Sequence, residues 1–470
     1  MKKLFCLSFL IAITSAISAF AAELSLDDYL GQVQTQSPNY KSSELNSEGQ
    51  SLQKSSASLI TSPYLFAGYQ NLDDKQQQVT PAFAGTRTQG SGYSVGLGIN
   101  TPVGLNAKYS FNIAHADIQN APLLPTPNYY TSYNKIELTQ SLLRNGFGSE
   151  TRARQDASRW GHESRSLAEE FQLQLKLVEA ENTFYRLAFA RRAIQVQQSV
   201  LARAEKIFTW AKRRVSNQLG DRADLLQAQS SYDLRRLELQ SALEEEKNAA
   251  RAFNLLRNAP GETVSDGLQL PTMDQTLKIG ATAQKTERLD LAAAEAQTQA
   301  AIALAQLDKE AIKPTLDVFA NVAWNGRDAS RTSAIREAQR ATNNTTAFGV
   351  NLNLPLAFGA LNNSWKGINM TQEAARLDLE QKRLSEDKDW RELSARLGDA
   401  RTRLQLLRTI EEVQRDKYEH EQQRLLRGRT TTYQAVIFEQ DYAQSQLLSL
   451  RTQAEVLQVI SQLKLFRSAK

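Results

Sequence analysis

The chain has 470 residues, 41% hydrophobic and 23% charged, with 22 glycines and 11 prolines, too apolar for a disordered protein and too poor in Gly and Pro for a fibrous one. Its 56 Lys and Arg against 51 Asp and Glu leave +5, or about +3 without Lys2 and Lys3, a bias too weak to imply nucleic acid. A mean hydropathy of −0.47 argues against a bundle of membrane-spanning helices.

Lys2 and Lys3 precede an apolar run, Leu4 to Ile17, and the small residues Ser18-Ala19-Phe20-Ala21-Ala22. That order predicts a secretory signal peptide over 1–21, cleaved after Ala21. Cys6, the only cysteine, lies inside it, so the mature chain is expected to lack disulfides and thiolate ligands. Residues 22–62 read as an N-terminal helix and 63–140 as a first strand group. Val95, Leu97 and Ile99, then Leu105, Ala107, Tyr109, Phe111 and Ile113, alternate with small or polar residues around Thr101-Pro102-Val103-Gly104. This predicts an extra hairpin over 93–115, either in the wall or folded on its rim or lumen.

No proline occurs between Pro127 and Pro260 or after Pro355. Residues 141–259 and 357–470 therefore read as long helices with reversals near 220 and 428. Ile194, Leu201, Phe208 and Val215 step by seven, a stripe that requires helices to coil around one another. Helices over 149–219 and 360–427 would each be about 100 Å long. Residues 260–286 read as a linker, 287–312 as a helix and 313–356 as a second strand pair. There, Leu316, Val318, Ala320, Val322 and Trp324 alternate with Asp317, Phe319, Asn321, Ala323 and Asn325, as in a wall with lipid on one side and water on the other.

The halves are duplicates. Residues 133–142 align with 347–356 at an offset of 214, and Gly220 aligns with Gly428 at 208. Tyr64, Phe66, Tyr69, Trp324 and Phe348 are placed either to anchor at a membrane interface or to pack between strands. The three histidines lie on different predicted elements, and no phosphate loop, nucleophile elbow or dinucleotide fingerprint appears. No catalytic, cofactor-binding or metal-binding residue is predicted.

Several segments resemble the TolC-like outer-membrane efflux protein family across the mature chain. They are Leu24 to Leu30 with Ser37-Pro38-Asn39-Tyr40, Glu287 to Leu291 leading to Lys313-Pro314-Thr315-Leu316, and the junctions Leu138 to Leu143 and Leu352 to Leu356. The resemblance implies an α+β membrane protein acting as a homotrimer. Four strands per chain, or six with the hairpin, would form one outer-membrane β-barrel continuous with a long periplasmic α-helical coiled-coil barrel. It implies an export duct without enzymatic activity, working with a periplasmic adaptor and an inner-membrane pump of RND or ABC type, in efflux or type I secretion. Leu219, Gly220, Asp221, Arg427, Gly428 and Arg429 would be the periplasmic tips that meet the adaptor. Arg222, Asp224, Arg424 and Gln434 are expected near the gate, as ion pairs or as a solvated helix end. The best-known members carry aspartates six and nine residues past the second glycine; Gln434 and Ile437 stand there, so no acidic ring is implied. The competing readings are a trimeric coiled-coil surface protein on a barrel anchor and a periplasmic coiled-coil adaptor.

Overall fold

The computed structural model describes residues 23–279 and 285–466; the expected signal peptide lies outside the described residues. In chain order, the first part runs β1 (Glu23–Leu24), α1 (Leu26–Gln36), α2 (Pro38–Gln53), a 3-10 segment (Lys54–Thr61), β2 (Tyr64–Asp74), α3 (Pro81–Ala84), β3 (Arg87–Asn100), β4 (Leu105–Gln119) and β5 (Asn128–Ser141). Next come α4 (Ser149–Ser216), α5 (Arg222–Leu256), β6 (Gly267–Leu268), α6 (Met273–Lys278) and α7 (Leu289–Ala311). The chain closes with β7 (Thr315–Asp328), α8 (Arg331–Arg340), β8 (Asn344–Asn353), α9 (Phe358–Leu426) and α10 (Thr432–Leu463). No helix among the described residues is long and apolar enough to cross a membrane.

Two compact units share these elements. One contains 44–171 and 288–387, the other 23–43, 172–287 and 388–466. The first holds a six-stranded antiparallel sheet in the order β2-β3-β4-β5-β7-β8. The hairpin expected at 93–115 belongs to this sheet as β3 and β4, longer than its pattern suggested. Every residue of β3 is paired with β4, from Arg87 with Gln119 to Asn100 with Asn106. The strands run 10 to 15 residues, so the polar segments at 73–91 and 116–130 are partly strand rather than loop.

Cross-strand register sorts the side chains onto two faces. Val95, Phe111, Asn134 and Trp324 form one row, and Leu97, Tyr109, Ile136 and Val322 the next, on an almost wholly apolar face. The opposite face carries Lys108, Lys135, Glu137, Asn321 and Asn325. Lys135 sits 2.6 Å from Glu137 there. Tyr64 and Phe66 also lie on the polar face, where their rings occupy the space above Gly98 and Gly96. They pack between strands, whereas Tyr69, Trp324 and Phe348 lie on the apolar face.

Helix α8 falls inside the segment expected to hold only strands. It was hidden from periodicity because its two buried residues, Ala334 and Ala338, are small and its other positions are largely charged or polar. It lies on the apolar face at one end of β7 and β5. A Cβ on Gly326 would come 2.0 Å from the Ala334 carbonyl oxygen, and Ser132, opposite Gly326, is 1% exposed. Overpacking a closed contact typically costs about 1–3 kcal/mol. Gly326→Val is therefore expected to unseat α8 and to speed tryptic cleavage after Arg331, Arg336 and Arg340, read by mass spectrometry, while the strand ladder persists. Unchanged cleavage would mean that α8 is not held by this contact.

The second unit is helical. Tyr29 of α1 stacks on Phe253 of α5 with ring centroids 4.0 Å apart, and Phe184 of α4 closes the cluster. The wholly buried seam of α4 is Val200, Ala204, Ile207 and Ala211, while Ile194, Leu201, Phe208 and Val215 flank it half-buried. Small residues let helix backbones approach most closely, so the seam follows the alanines rather than the largest side chains.

Candidate functional site

The two helix reversals of the second unit lie side by side. Ile207 and Ala211 of α4, Ala228 of α5, Leu425 of α9, and Ala435 and Val436 of α10 share one core beneath them. In the first reversal, the Arg214 guanidinium donates to the Leu219 carbonyl from Nε at 3.2 Å and from Nη2 at 2.7 Å. In the second, Arg424 Nη2 donates to the Arg429 carbonyl at 3.1 Å. Asp221 caps α5 by accepting from the Ala223 N–H, and Thr431 caps α10 by accepting from the Gln434 N–H.

These matched contacts are 210 residues apart, which corrects the alignment of Gly220 with Gly428. The structural counterpart of Gly428 (φ 68°) is Gln218 (φ 59°), and Gly220 has no positive φ. Glycine is the least strained residue in that left-handed position, so the second tip has the usual chemistry and the first a strained glutamine. The glycine two residues later drew the sequence alignment off register.

Leu219, Gly220, Asp221, Arg427, Gly428 and Arg429 are all exposed at these reversals. Arg222 is exposed and Asp224 half-buried, and among the described residues neither forms an ion pair within the chain. Arg424 pairs with Glu421 one turn away on its own helix, at 3.1 Å. Gln434 contributes only its backbone to the cap. Residues 212–224 and 424–433 hold seven Lys and Arg against two Asp, so the tips are basic.

The charges that join different helices lie farther along the bundle, in a cluster that sequence reasoning missed. Glu439 of α10 is 1% exposed and lies 3.4 Å from Arg203 of α4 and 3.4 Å from Arg235 of α5. Arg203 also donates to Gln446 at 3.1 Å and lies over the Tyr442 ring, 4.7 Å from its centroid. Tyr418 of α9 stacks on Tyr442. All four long helices thus meet around one carboxylate. A lone glutamate on a charged helix reads as solvated; only the step from Ala228 through Ser231 to Arg235 along the α5 seam could have flagged a buried charge.

Burial pushes the Glu439 carboxyl above its ordinary value of 4.5, against the pull of Arg235 and Arg203. A raised native pKa means that the folded protein holds this proton more tightly than the unfolded chain. The contribution of Glu439 to stability therefore declines as pH rises from about 4.5 through the raised value, and Glu439→Gln is expected to remove that slope. Glu439→Ala leaves the buried Arg235 with only the half-buried Glu238 of its own helix, 2.8 Å away, as an ion partner, and is expected to cost about 3 kcal/mol. Thermal melts of both variants across pH check this; a neutral Glu439→Ala would show the cluster to be hydrated.

Residues 283–465 match the family model for outer membrane efflux proteins. These residues, in the second half of the chain, are similar to that family. No curated protein matches it in sequence. Among solved structures, the CusC transmembrane channel superposes with a TM-score of 0.68 at 11% identity, covering 96% of this chain and 94% of its own. The outer membrane protein VceC of Vibrio cholerae gives 0.66 at 13%, covering 93% and 95%. The Campylobacter jejuni CmeC outer membrane channel gives 0.67 at 12%, covering 95% and 87%. At these identities the likeness establishes the fold: the chain shares the architecture of these outer-membrane channels over nearly its whole length.

Proposed function

We propose that the protein is the outer-membrane duct of a tripartite export system, in efflux or type I secretion. The observation that carries this reading is the six-stranded sheet, with one apolar face, one polar face and two unpaired edges, in a chain whose residues 283–465 match the outer membrane efflux family. In lipid an unpaired backbone edge is prohibitively costly, so such a sheet needs further copies to close it. Three copies give 18 strands, a size that leaves an aqueous channel. The Lys108, Lys135 and Glu137 face then lines water and the Val95, Leu97 and Phe111 face meets hydrocarbon. The helical unit of each copy joins a periplasmic helical barrel.

Transport through such a duct needs no catalytic group, and the protein is a conduit rather than an enzyme. The tips at Leu219, Gly220, Asp221, Arg427, Gly428 and Arg429 meet the periplasmic adaptor, through which an RND or ABC pump in the inner membrane delivers cargo. Arg222 and Asp224, which form no ion pair among the described residues, pair between subunits and hold the tips together. Arg424 and Gln434 brace the second reversal from within.

Full-length protein in planar lipid bilayers tests the reading. Discrete ion-conducting events are expected, with the closed-state conductance of Asp224→Ala and Arg429→Ala raised above that of the unmodified protein. A protein that inserts without conducting would contradict the duct. Unchanged closed-state conductance in both variants would remove the tip charges from the gate.

A further inference from the structure

The loop end of the sheet carries a feature that conduction does not use. Helix α8 lies across the apolar face, at the level where Tyr69, Tyr93, Ile113, Ser132 and Gly326 form one cross-strand row. The rows on either side hold Phe111 and Trp324, and His115 and Tyr130. Clustered aromatic rings at one level of an apolar wall mark the boundary between hydrocarbon and headgroups. An amphipathic helix at that level, with Ala334 and Ala338 buried and polar side chains outward, lies in the interface plane.

Its charges are unevenly used. The Glu337 carboxylate accepts from the Arg327 N–H at 2.9 Å and from the Asn343 side chain at 2.7 Å, tying the two ends of the loop together. Arg331, Arg336 and Arg340 are exposed and, among the described residues, take no hydrogen bond or ion pair. Arg331 overhangs a groove of about 540 Å3 on the apolar face, whose floor includes Tyr69, Tyr93, Phe111 and Ile113.

We infer that α8 and this groove bind a phosphorylated, anionic lipid of the outer leaflet. The headgroup phosphate lies against the Arg331 and Arg336 guanidinium groups, and a hydrocarbon chain fills the groove. Guanidinium is the side-chain group best matched to phosphate. A soluble anion would leave the aromatic floor exposed to water, and a neutral lipid would leave three arginines unanswered. Only a ligand with both an anionic head and an apolar tail satisfies both halves of the site. The inference rests on the reading of the sheet as a membrane wall.

Spin-labelled lipids separate the two ideas. Full-length protein is reconstituted in phosphatidylcholine vesicles with a trace of spin-labelled phosphatidylglycerol or spin-labelled phosphatidylcholine, and the motionally restricted fraction is read by electron paramagnetic resonance. Phosphatidylglycerol is expected to associate about threefold more strongly at low salt, with the preference fading toward about 1 M salt, where the screening length falls to about 3 Å. The preference should also vanish in the triple variant Arg331→Gln, Arg336→Gln, Arg340→Gln, whose folding is read from its circular dichroism. Equal association of both lipids with the unmodified protein would overturn the inference. So would a preference that survives in the folded triple variant, or one abolished by inorganic phosphate at constant ionic strength, which would mark a site for a free anion. No restricted lipid of either kind would instead sink the membrane-wall reading and this inference with it.

Discussion

The backbone amides and carbonyls along the outer edges of β2 and β8 set the terms for the rest of the molecule. Among the described residues no further strand pairs with them, because the sheet ends at these two strands. Phe348 on β8 is 90% exposed and Leu65 on β2 is 71% exposed, so the side chains at the margins are as unsatisfied as the backbone. Water would hydrate the edges but not the apolar face; lipid would accept the face but not the edges. In the proposed duct, pairing with other copies, with the apolar face turned to lipid, relieves both. The alternation along every strand, and glycines roofed by Tyr64 and Phe66 on the polar face, belong to that solution.

The helical unit solves a different problem. Its large apolar side chains gather in separate clusters, around Phe253 and around Leu404 and Leu457, and between these and the tips lies a buried charge cluster. Glu439 between Arg203 and Arg235 is not a device for maximal stability, since burying ions costs most of what their attraction returns. It fixes register, because only one sliding position of α10 brings the carboxylate to both guanidinium groups at once. Near the tips three alanines share the core with Ile207, Leu425 and Val436, and most of the basic side chains there are left exposed around it.

Much of this was legible in the sequence where a pattern repeats over many residues. The alternation from Leu316 to Trp324 puts those side chains on one face of β7, and the proline-free tracts hold α4, α5, α9 and α10. What escaped was local. Helix α8 carries too few apolar residues to show a period, and Ala334 and Ala338 announce themselves only through the close approach to Gly326. The alignment of the two tips fails by two residues because a glutamine fills the left-handed position where a glycine was expected. The Arg203, Arg235 and Glu439 cluster was invisible because charged residues on long helices nearly always face water.

Hydrogen–deuterium exchange on the membrane-reconstituted, full-length protein tests the central claim most directly. If other copies complete the sheet, the amides of β2 and β8 should be as slow to exchange as those of β4, which is paired on both sides. Amides on β2 and β8 that exchange as fast as the loops, while β4 stays protected, would show that the edges are open and that no closed wall forms.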